Sequence, residues 1–312
     1  SLASGERKGI FLGNFAQHHP RASELHALAS SLARSTGSTL GFLTEAANSV
    51  GGWIAQARPL RSGLTAQAML ASPRKAYLLL HAEADCDLAD PVAASAALDR
   101  AECVVALTAF RSGAAAHADI VLPVTPFSET AGTFINCEGR AQAFSGVAPP
   151  AGEARPAWKV LRVLGSLLEL PGFAQQNIDE VRRELPAAEA IASALSNATD
   201  RPIVAPTVVV DRPERVADVP MYFADPLVRR ASALQKTRAA KPPAARVNPA
   251  MLSRLKLADG DAVRVSGGAG HAVLKIAVDA GVADGCVRIA AAHSSTAALG
   301  PMFGPIAVEA AR

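Results

Sequence analysis

Residues 76–122 contain the pattern that determines the fold class. The segment opens with the apolar run AYLLLH at 76–81, continues with a helical pattern at 91–100, and closes with CVVALT at 103–108 and IVL at 120–122. Short apolar runs separated by helices are typical of parallel strands that are buried on both faces and joined by right-handed crossovers. The segment therefore predicts a parallel sheet covered by helices.

The same alternation occurs on the amino-terminal side of this segment. KGIFLG at 8–13 and the residues at 39–43 predict two more buried strands, and the residues between Pro20 and Gly37 predict a helix with one apolar face. The glycine-rich residues at 48–52 are typical of a loop. The amino-terminal part of the chain is therefore predicted to be α/β.

The residues from 201 onward have a different pattern. Their apolar runs are short and rich in β-branched residues, and turns such as the hairpin turn predicted at 267–270 separate the later ones. Short strands with tight turns protect their edges best in a closed barrel. We predict a small β-barrel, and the strand-like runs are residues 208–210, 262–265, 272–278 and 287–289.

These patterns define three predicted regions in a chain of 312 residues, a length that suits two domains. An α/β domain spans 1–200 and includes an irregular loop at 118–142 and a helical extension at 156–197. An extended connector spans 201–246 and is basic at 229–246, and a small β-barrel domain spans 247–312.

Composition excludes several classes of protein. Half of the residues are hydrophobic and 19% are charged, which rules out a disordered chain, and a net charge of +3 is too small to indicate nucleic acid or a membrane surface as partner. No apolar stretch reaches the roughly 18 residues of a membrane-spanning helix. We expect a soluble chain without a signal peptide. The missing initiator methionine indicates either a processed start or the carboxyl-terminal piece of a longer protein.

The four cysteines are scattered along the chain and form no CxxC motif. Such spacing fits neither a zinc site nor an iron–sulfur cluster. Four isolated thiols suit a reducing cytoplasm, and we predict that they are buried and structural.

Motifs that would indicate catalysis are incomplete. The first predicted strand is followed by one glycine, Gly13, where a dinucleotide-binding loop has three. Ser128 and Glu129 are adjacent, but no glycine elbow frames the serine. His18 and His19 follow a strand at the carboxyl edge of the predicted sheet, so they are candidates for a functional role, with a structural role as the alternative. We predict no catalytic residue and no metal site.

The loop at 118–142 carries the most specific motif. It reads ADIVLP at 118–123 and ETAGTFINCEGRAQ at 129–142. This closely resembles the signature of the molybdopterin oxidoreductase superfamily, in which such a loop packs near the pterin cofactor. The resemblance implies a molybdopterin-oxidoreductase-like fold. It also marks candidate residues of a vestigial cofactor site, which are Glu129, Gly132, Thr133, Asn136, Glu138, Gly139, Arg140 and Asn248.

The residue types in this loop also permit a structural interpretation. Glycines permit tight turns, and Asn136 can bond the local backbone. We predict that Glu129, Glu138 and Arg140 form a partly buried ionic network.

Two further stretches narrow the resemblance. They are MYFADPLVRRA at 221–231 and RPAWKVL at 155–161. Both look like sequences of one family, the G subunit (75 kDa type) of bacterial NADH-quinone oxidoreductase, the respiratory complex I. In that family the amino-terminal half carries the iron–sulfur clusters, and the carboxyl-terminal half keeps the molybdoenzyme fold without using a pterin or a metal.

The resemblance implies a chain that acts only as part of an oxidoreductase complex. We expect no cofactor in residues 1–312, with the iron–sulfur clusters in a missing amino-terminal half. The implied partners are that half and other proteins of the hydrophilic arm of complex I, with no nucleic acid and no direct membrane insertion. The implied location is the cytoplasmic side of the inner membrane, through the complex.

Other interpretations remain open. The chain can instead be the carboxyl-terminal part of a catalytic molybdopterin-dependent oxidoreductase of the formate dehydrogenase or nitrate reductase type, or a free-standing binding module. Within the connector, the basic residues are predicted either to meet an acidic face of a partner or to be solvated; they are Arg229, Arg230, Lys236, Arg238 and Lys241.

Overall fold

The computed structural model describes residues 2, 4–114, 116–204, 212–268 and 270–311. Its strands are β1 (Gly9–Leu12), β2 (Thr39–Phe42), β3 (Ala76–Leu80), β4 (Cys103–Thr108), β5 (Ile120–Pro123), β6 (Gly132–Ile135), β7 (Ala141–Phe144), β8 (Glu214–Val216), β9 (Ala245–Val247), β10 (Ala262–Gly267), β11 (Gly270–Val278), β12 (Cys286–Arg288) and β13 (Phe303–Ala310). The strand predicted at 208–210 lies outside the described residues.

The α-helices are mostly short. They are α1 (Asn14–His18), α2 (Ala22–Thr36), α3 (Ser49–Ile54), α4 (Ala66–Ala71), α5 (Ala84–Asp87), α6 (Pro91–Leu98), α7 (Arg111–Ala114), α8 (Ala157–Leu167), α9 (Ile178–Arg182), α10 (Ala188–Ala194), α11 (Pro226–Arg230), α12 (Ser232–Gln235), α13 (Pro249–Leu255) and α14 (Ser294–Ala297).

The chain divides into two compact units, each built from two stretches of sequence. The first unit comprises Ser1–Thr65 and Val124–Thr207, and the second comprises Ala66–Pro123 and Val208–Arg312. The domain limits at 200 and 246 remain predictions.

The first unit contains a parallel pair of strands. β1 and β2 run side by side from the Gly9–Thr39 pair to the Leu12–Phe42 pair. The predicted helix between them is α2, which buries a face of small residues and ends at Gly37, whose positive φ of 64° suits glycine. The predicted loop at 48–52 is wrong, because residues from 49 onward form α3. Two glycines lower helix propensity, but one of them, Gly51, is buried and serves packing.

Beyond these elements, the described part of the first unit contains α1, an antiparallel hairpin and three further helices. β6 pairs with β7 from Gly132–Phe144 to Ile135–Ala141, so the irregular part of the predicted loop contains a regular hairpin. The predicted helical extension forms α8, α9 and α10.

The second unit contains the sheet that the opening pattern predicts. β3, β4 and β5 are parallel neighbours in that order. Helices α5 and α6 pack on one face, where Ala84, Ala94, Leu98 and Val104 are buried together. The predicted parallel sheet is confirmed.

The second unit also contains a closed six-stranded barrel with the order β10-β11-β9-β12-β8-β13. Val263, Val265, Ile276 and Val287 lie in its core. The predicted barrel and its 267–270 hairpin turn are confirmed, since Gly267 pairs with Gly270. However, β8 and β9 come from the stretch predicted to be connector. Strands of three residues are too short to show a hydrophobic periodicity. They are needed between β11 and β13 to close the barrel.

In the described part of the chain, no helix is long and apolar enough to cross a membrane.

Candidate functional site

The signature loop forms the β6–β7 hairpin, and its tip is held by one side chain. The Asn136 Oδ1 atom accepts hydrogen bonds from the backbone N–H groups of Glu138 and Arg140, at 3.1 and 2.9 Å. Gly139 has a φ of 83°. The positive φ favours glycine, and a Cβ at that position would lie 2.8 Å from Leu195 Cδ1, so that this side chain would have to shift.

A side chain from another part of the first unit fastens the buried end of β6. The Asn48 Oδ1 atom accepts a 2.9 Å hydrogen bond from the N–H of Ile135, a residue with only 1% of its surface exposed. A Cβ on Gly51 would lie 1.9 Å from this oxygen. The Asn48 side chain can therefore reach the hairpin only because residue 51 is glycine.

Arg182 of α9 fastens the opposite end of the hairpin. Its Nη2 atom donates to the carbonyl oxygens of Gly132 and Phe144, at 3.1 and 3.0 Å, and its Nε donates to Thr133 Oγ1 at 3.3 Å. Asp179 accepts from Nη1 at 2.9 Å. The Arg182 guanidinium group thus links the first residue of β6 to the last residue of β7.

The remaining predicted loop residues do not form the expected ionic network. Glu129 Oε2 accepts from the N–H of Ala151 at 3.0 Å, whereas Glu138 and Arg140 are exposed at the hairpin tip. Among the described residues, these three charges form no ion pair with one another. Glu138 instead accepts a 3.3 Å hydrogen bond from the Nδ2 atom of Asn136.

Asn248 belongs to the second unit and caps a helix. Its Oδ1 accepts from the N–H of Met251 at 2.7 Å, and its Nδ2 donates to the Val282 carbonyl at 3.3 Å. Both polar atoms of this side chain thus form hydrogen bonds within the second unit.

A cavity of about 920 Å³ lies beside the hairpin within the first unit. Its walls include Phe11, Phe42, Trp53, Cys137 and Glu138. The Arg58 guanidinium carbon, also in the wall, lies 5.1 Å from the centre of the Trp53 ring. The lining is largely aromatic and apolar, and it includes the charged residues Arg58 and Glu138.

The histidines at the carboxyl edge of β1 have local partners. His18 Nε2 lies 2.8 Å from Glu45 Oε2, and the hydrogen bond to Glu45 raises the pKa of His18 and lowers that of Glu45. His19 Nδ1 accepts from the N–H of Arg21 at 3.0 Å.

Sequence reasoning missed a cluster of buried charges in the second unit. Glu83 bonds Arg229 at 3.0 Å and Arg230 at 2.6 Å, and Asp87 bonds Arg229 at 2.8 Å. Burial acts to lower the pKa of Arg229, but the hydrogen bond to Asp87 and nearby charges outweigh it and raise this pKa. A Cβ on Gly113 would lie 2.0 Å from Glu83 Oε1, so glycine makes room for the carboxylate.

This cluster corrects the interpretation of the connector. Arg229 and Arg230 are committed to carboxylates of their own unit, so the prediction that they contact a partner or solvent is wrong. Lys236, Arg238 and Lys241 are exposed. The two acidic residues lie more than a hundred positions before the arginines, which is why no local pattern reveals the pairing.

A second buried arginine, Arg215 of β8, lies in the barrel with 2% of its surface exposed. Its guanidinium donates to the carbonyls of Gly300, Pro301 and Ala290 at 2.9 to 3.2 Å. Burial lowers the pKa of this group to about 10. Carbonyl dipoles, rather than a carboxylate, therefore compensate this charge.

The thiols have no metal-binding arrangement in the described ranges, where no group of three or more Cys, His, Asp or Glu side chains could hold an ion. Burial raises the pKa of Cys86 to about 12 and also raises that of Cys286. The prediction that the four thiols are buried is wrong, because Cys137 is exposed in the hairpin tip and the other three are only partly buried.

Comparison with known proteins assigns this chain to a family. The family model described as "Molybdopterin oxidoreductase" matches residues 2–167, and the model described as "Molydopterin dinucleotide binding domain" matches residues 228–307. The first match covers more than half of the chain. The chain belongs to the molybdopterin oxidoreductase family.

Curated relatives show which members of the family this chain is similar to. The chain is 37% identical over 91 residues, 28% of its length, to the G subunit of NADH-quinone oxidoreductase from Shewanella oneidensis. It is 47% identical over 64 residues, 20% of its length, to the protein of that name in Streptomyces coelicolor. The mitochondrial NADH-ubiquinone oxidoreductase 78 kDa subunit of Candida albicans is 43% identical over 54 residues, 17% of this chain. These matches span only 8–10% of the relatives' own lengths.

A solved structure shows the same fold. Acetylene hydratase from Pelobacter acetylenicus superposes with a TM-score of 0.50 over 73% of this chain and 39% of the hydratase, at 19% sequence identity. This likeness concerns the fold alone.

Proposed function

We propose that this chain is the carboxyl-terminal scaffold part of the G subunit of a bacterial NADH-quinone oxidoreductase, supporting electron transfer from NADH to quinone in the hydrophilic arm. The observation that carries the proposal is the similarity to proteins of this name in separate organisms. Its partners would be the cluster-bearing half of the same polypeptide and neighbouring proteins of the arm, on the cytoplasmic side of the inner membrane.

We also propose that this chain holds no pterin and no redox metal, and is not catalytic by itself. The hydrogen bonds of the candidate residues support the absence of a pterin, because a bound pterin needs polar groups that are free to receive it. Asn136 and Asn248 already use their carbonyl oxygens on the local backbone, and Glu129 accepts from Ala151. These three candidate residues thus fit a structural role better than a cofactor site.

A second candidate function is the carboxyl-terminal part of a catalytic molybdopterin-dependent oxidoreductase. The match of residues 228–307 to the dinucleotide-binding domain favours it. In that case the metal ligand and a cluster would lie in another part of the polypeptide.

Purification from the native host distinguishes the two candidates. We would place an affinity tag on the complete polypeptide encoded by the gene, identify the co-purifying proteins by mass spectrometry, and measure molybdenum, tungsten and iron per chain. The scaffold proposal predicts the other complex I proteins, NADH–quinone activity, and iron without molybdenum or tungsten. Stoichiometric molybdenum or tungsten, together with a pterin released on denaturation, would establish the second candidate and overturn the first.

A further inference from the structure

The carboxyl ends of β3 and β4, within the second unit, carry polar and aromatic side chains around one carboxylate. Ligand sites in parallel α/β sheets lie outside the carboxyl ends of the strands. Glu83 follows β3, and Phe110, Ser112 and Gly113 follow its parallel neighbour β4. The Glu83 side chain is only 6% exposed, and it fits because residue 113 has no Cβ. A ligand site is therefore expected at this edge of the sheet.

The guanidinium group of Arg230 occupies this position. Its Nη1 and Nη2 atoms donate to the two carboxylate oxygens of Glu83, at 3.3 and 2.6 Å, and Nη2 also donates to Ser112 Oγ at 3.0 Å. The Arg230 Cζ atom lies 4.5 Å from the centre of the Phe110 ring. Parallel hydrogen bonds to one carboxylate, together with an aromatic face, are the contacts that recognise a planar cation with adjacent N–H groups. Arg230 thus has the contacts of a bound ligand.

The position of helix α11 does not depend on the Arg230 side chain alone. Arg229 donates to Asp87 at 2.8 and 3.0 Å and pairs with Glu83 at 3.0 Å, and Asp225 caps the amino end of the helix. Removal of the Arg230 side chain would therefore leave α11 in place and Glu83 paired with one arginine. Arg230 is also 28% exposed, so its place is open to solvent on one side.

We infer that Glu83, Phe110 and Ser112 form a binding site for planar guanidinium-type cations, and that Arg230 closes this site as an internal ligand. The carboxylate and hydroxyl oxygens accept N–H donors, and the ring face receives a flat cation. A compact ammonium ion has the charge but neither the plane nor the parallel donors. In the intact chain the site takes no free ligand, because the tethered Arg230 competes at a high effective concentration. The inference concerns the second unit alone and holds for either candidate function.

Chemical rescue with methylguanidinium tests the inference on the complete polypeptide. Arg230→Ala empties the site and leaves its acceptors in place. In a calorimetric titration of this variant we expect saturable binding of methylguanidinium, at least about tenfold tighter than that of methylammonium. The Tm of the variant should rise toward the wild-type value as the site fills. The unaltered protein should show no saturable binding, because Arg230 already occupies the site.

Two further variants separate this site from a general affinity of carboxylates for cations. Arg254→Ala is the matched control, because it removes an arginine from Asp284 in an ion pair whose side chains are 54% and 64% exposed. This control should show no saturable binding. Combining Phe110→Leu with Arg230→Ala should weaken the binding of methylguanidinium by at least about threefold, because the aromatic face is lost.

Several results would overturn the inference. They are the absence of saturable binding to Arg230→Ala, equal binding of methylammonium, and equal binding of methylguanidinium to the unaltered protein. If Arg230→Ala does not fold by itself, the titration is carried out during refolding. Methylguanidinium, but not methylammonium, should then restore the folded fraction, and a failure to restore it overturns the inference equally.

Discussion

The hydrogen bond from Ile135 to Asn48 provides the sharpest test of how the signature hairpin is held. Asn48→Ala removes the acceptor at 2.9 Å and leaves the N–H of a residue that is 1% exposed without a partner. An orphaned buried N–H costs about 1–3 kcal/mol. For a protein of this size each kcal/mol corresponds to roughly 2–4 °C in Tm, so we expect a decrease of about 2–12 °C.

Two measurements check this prediction on the purified protein. Thermal unfolding followed by circular dichroism reports the Tm, and hydrogen–deuterium exchange reports the Ile135 amide directly, which should exchange faster in the Ala variant. Asn48→Asp is the matched control because it keeps an acceptor oxygen at the same position. The reasoning would be refuted if Asn48→Ala left both the Tm and the exchange unchanged, or if Asn48→Asp lost as much stability as Asn48→Ala.

Three more predictions concern charge and backbone conformation. Glu83→Ala leaves two arginines without their buried carboxylate and should destabilise the protein by about 3–5 kcal/mol in urea unfolding. The control Glu102→Ala removes an exposed ion pair and should cost less than about 1 kcal/mol, and equal costs would contradict the prediction. Glu45→Gln should lower the pKa of His18 in an NMR titration; an unchanged value would show that the pair is absent in solution. Gly139→Ala should lower the Tm because of its positive φ and the close approach of Leu195, and a stable variant would contradict the described tip.

The direction of the pH effect follows from the His18–Glu45 pair. The raised pKa of His18 means that its contribution is complete below about 6.5 and is lost as the pH rises through the pKa in the folded protein. The lowered pKa of Glu45 means that its contribution is present above about 4.5 and is lost as the pH falls. Both groups are charged between these limits, where the pair stabilises most, by less than about 1 kcal/mol because Glu45 is half exposed.

Local sequence patterns predicted the elements that have a clear period. The runs at 76–81 and 103–108 are long enough to show buried parallel strands, and Gly37 marks the end of α2 at a left-handed residue. The three-residue strands β8 and β9 have no period to detect. Their strand conformation depends on pairing with β11, β12 and β13, which are distant in sequence.

The contacts that hold the candidate site could not be predicted for a related reason. Asn48 is 87 positions from Ile135, and Arg230 is 147 positions from Glu83. Propensity describes neighbours along the chain, whereas these pairs depend on the tertiary fold. The spacing of Asn48 and Gly51 was visible, but a glycine-rich stretch predicts a loop unless the asparagine's distant partner is known.

The signature residues have a physical reason to persist whether or not a cofactor is bound. Asn136 shapes the tip, Gly139 admits Leu195, and Gly132 places its carbonyl on Arg182. Each contact lies within the first unit and stabilises the hairpin itself. Loss of a pterin would remove none of these constraints, so a scaffold and an enzyme of this family can share the same motif. The motif therefore identifies the fold, and the metal content of the complete polypeptide, rather than the motif, distinguishes the scaffold from the enzyme.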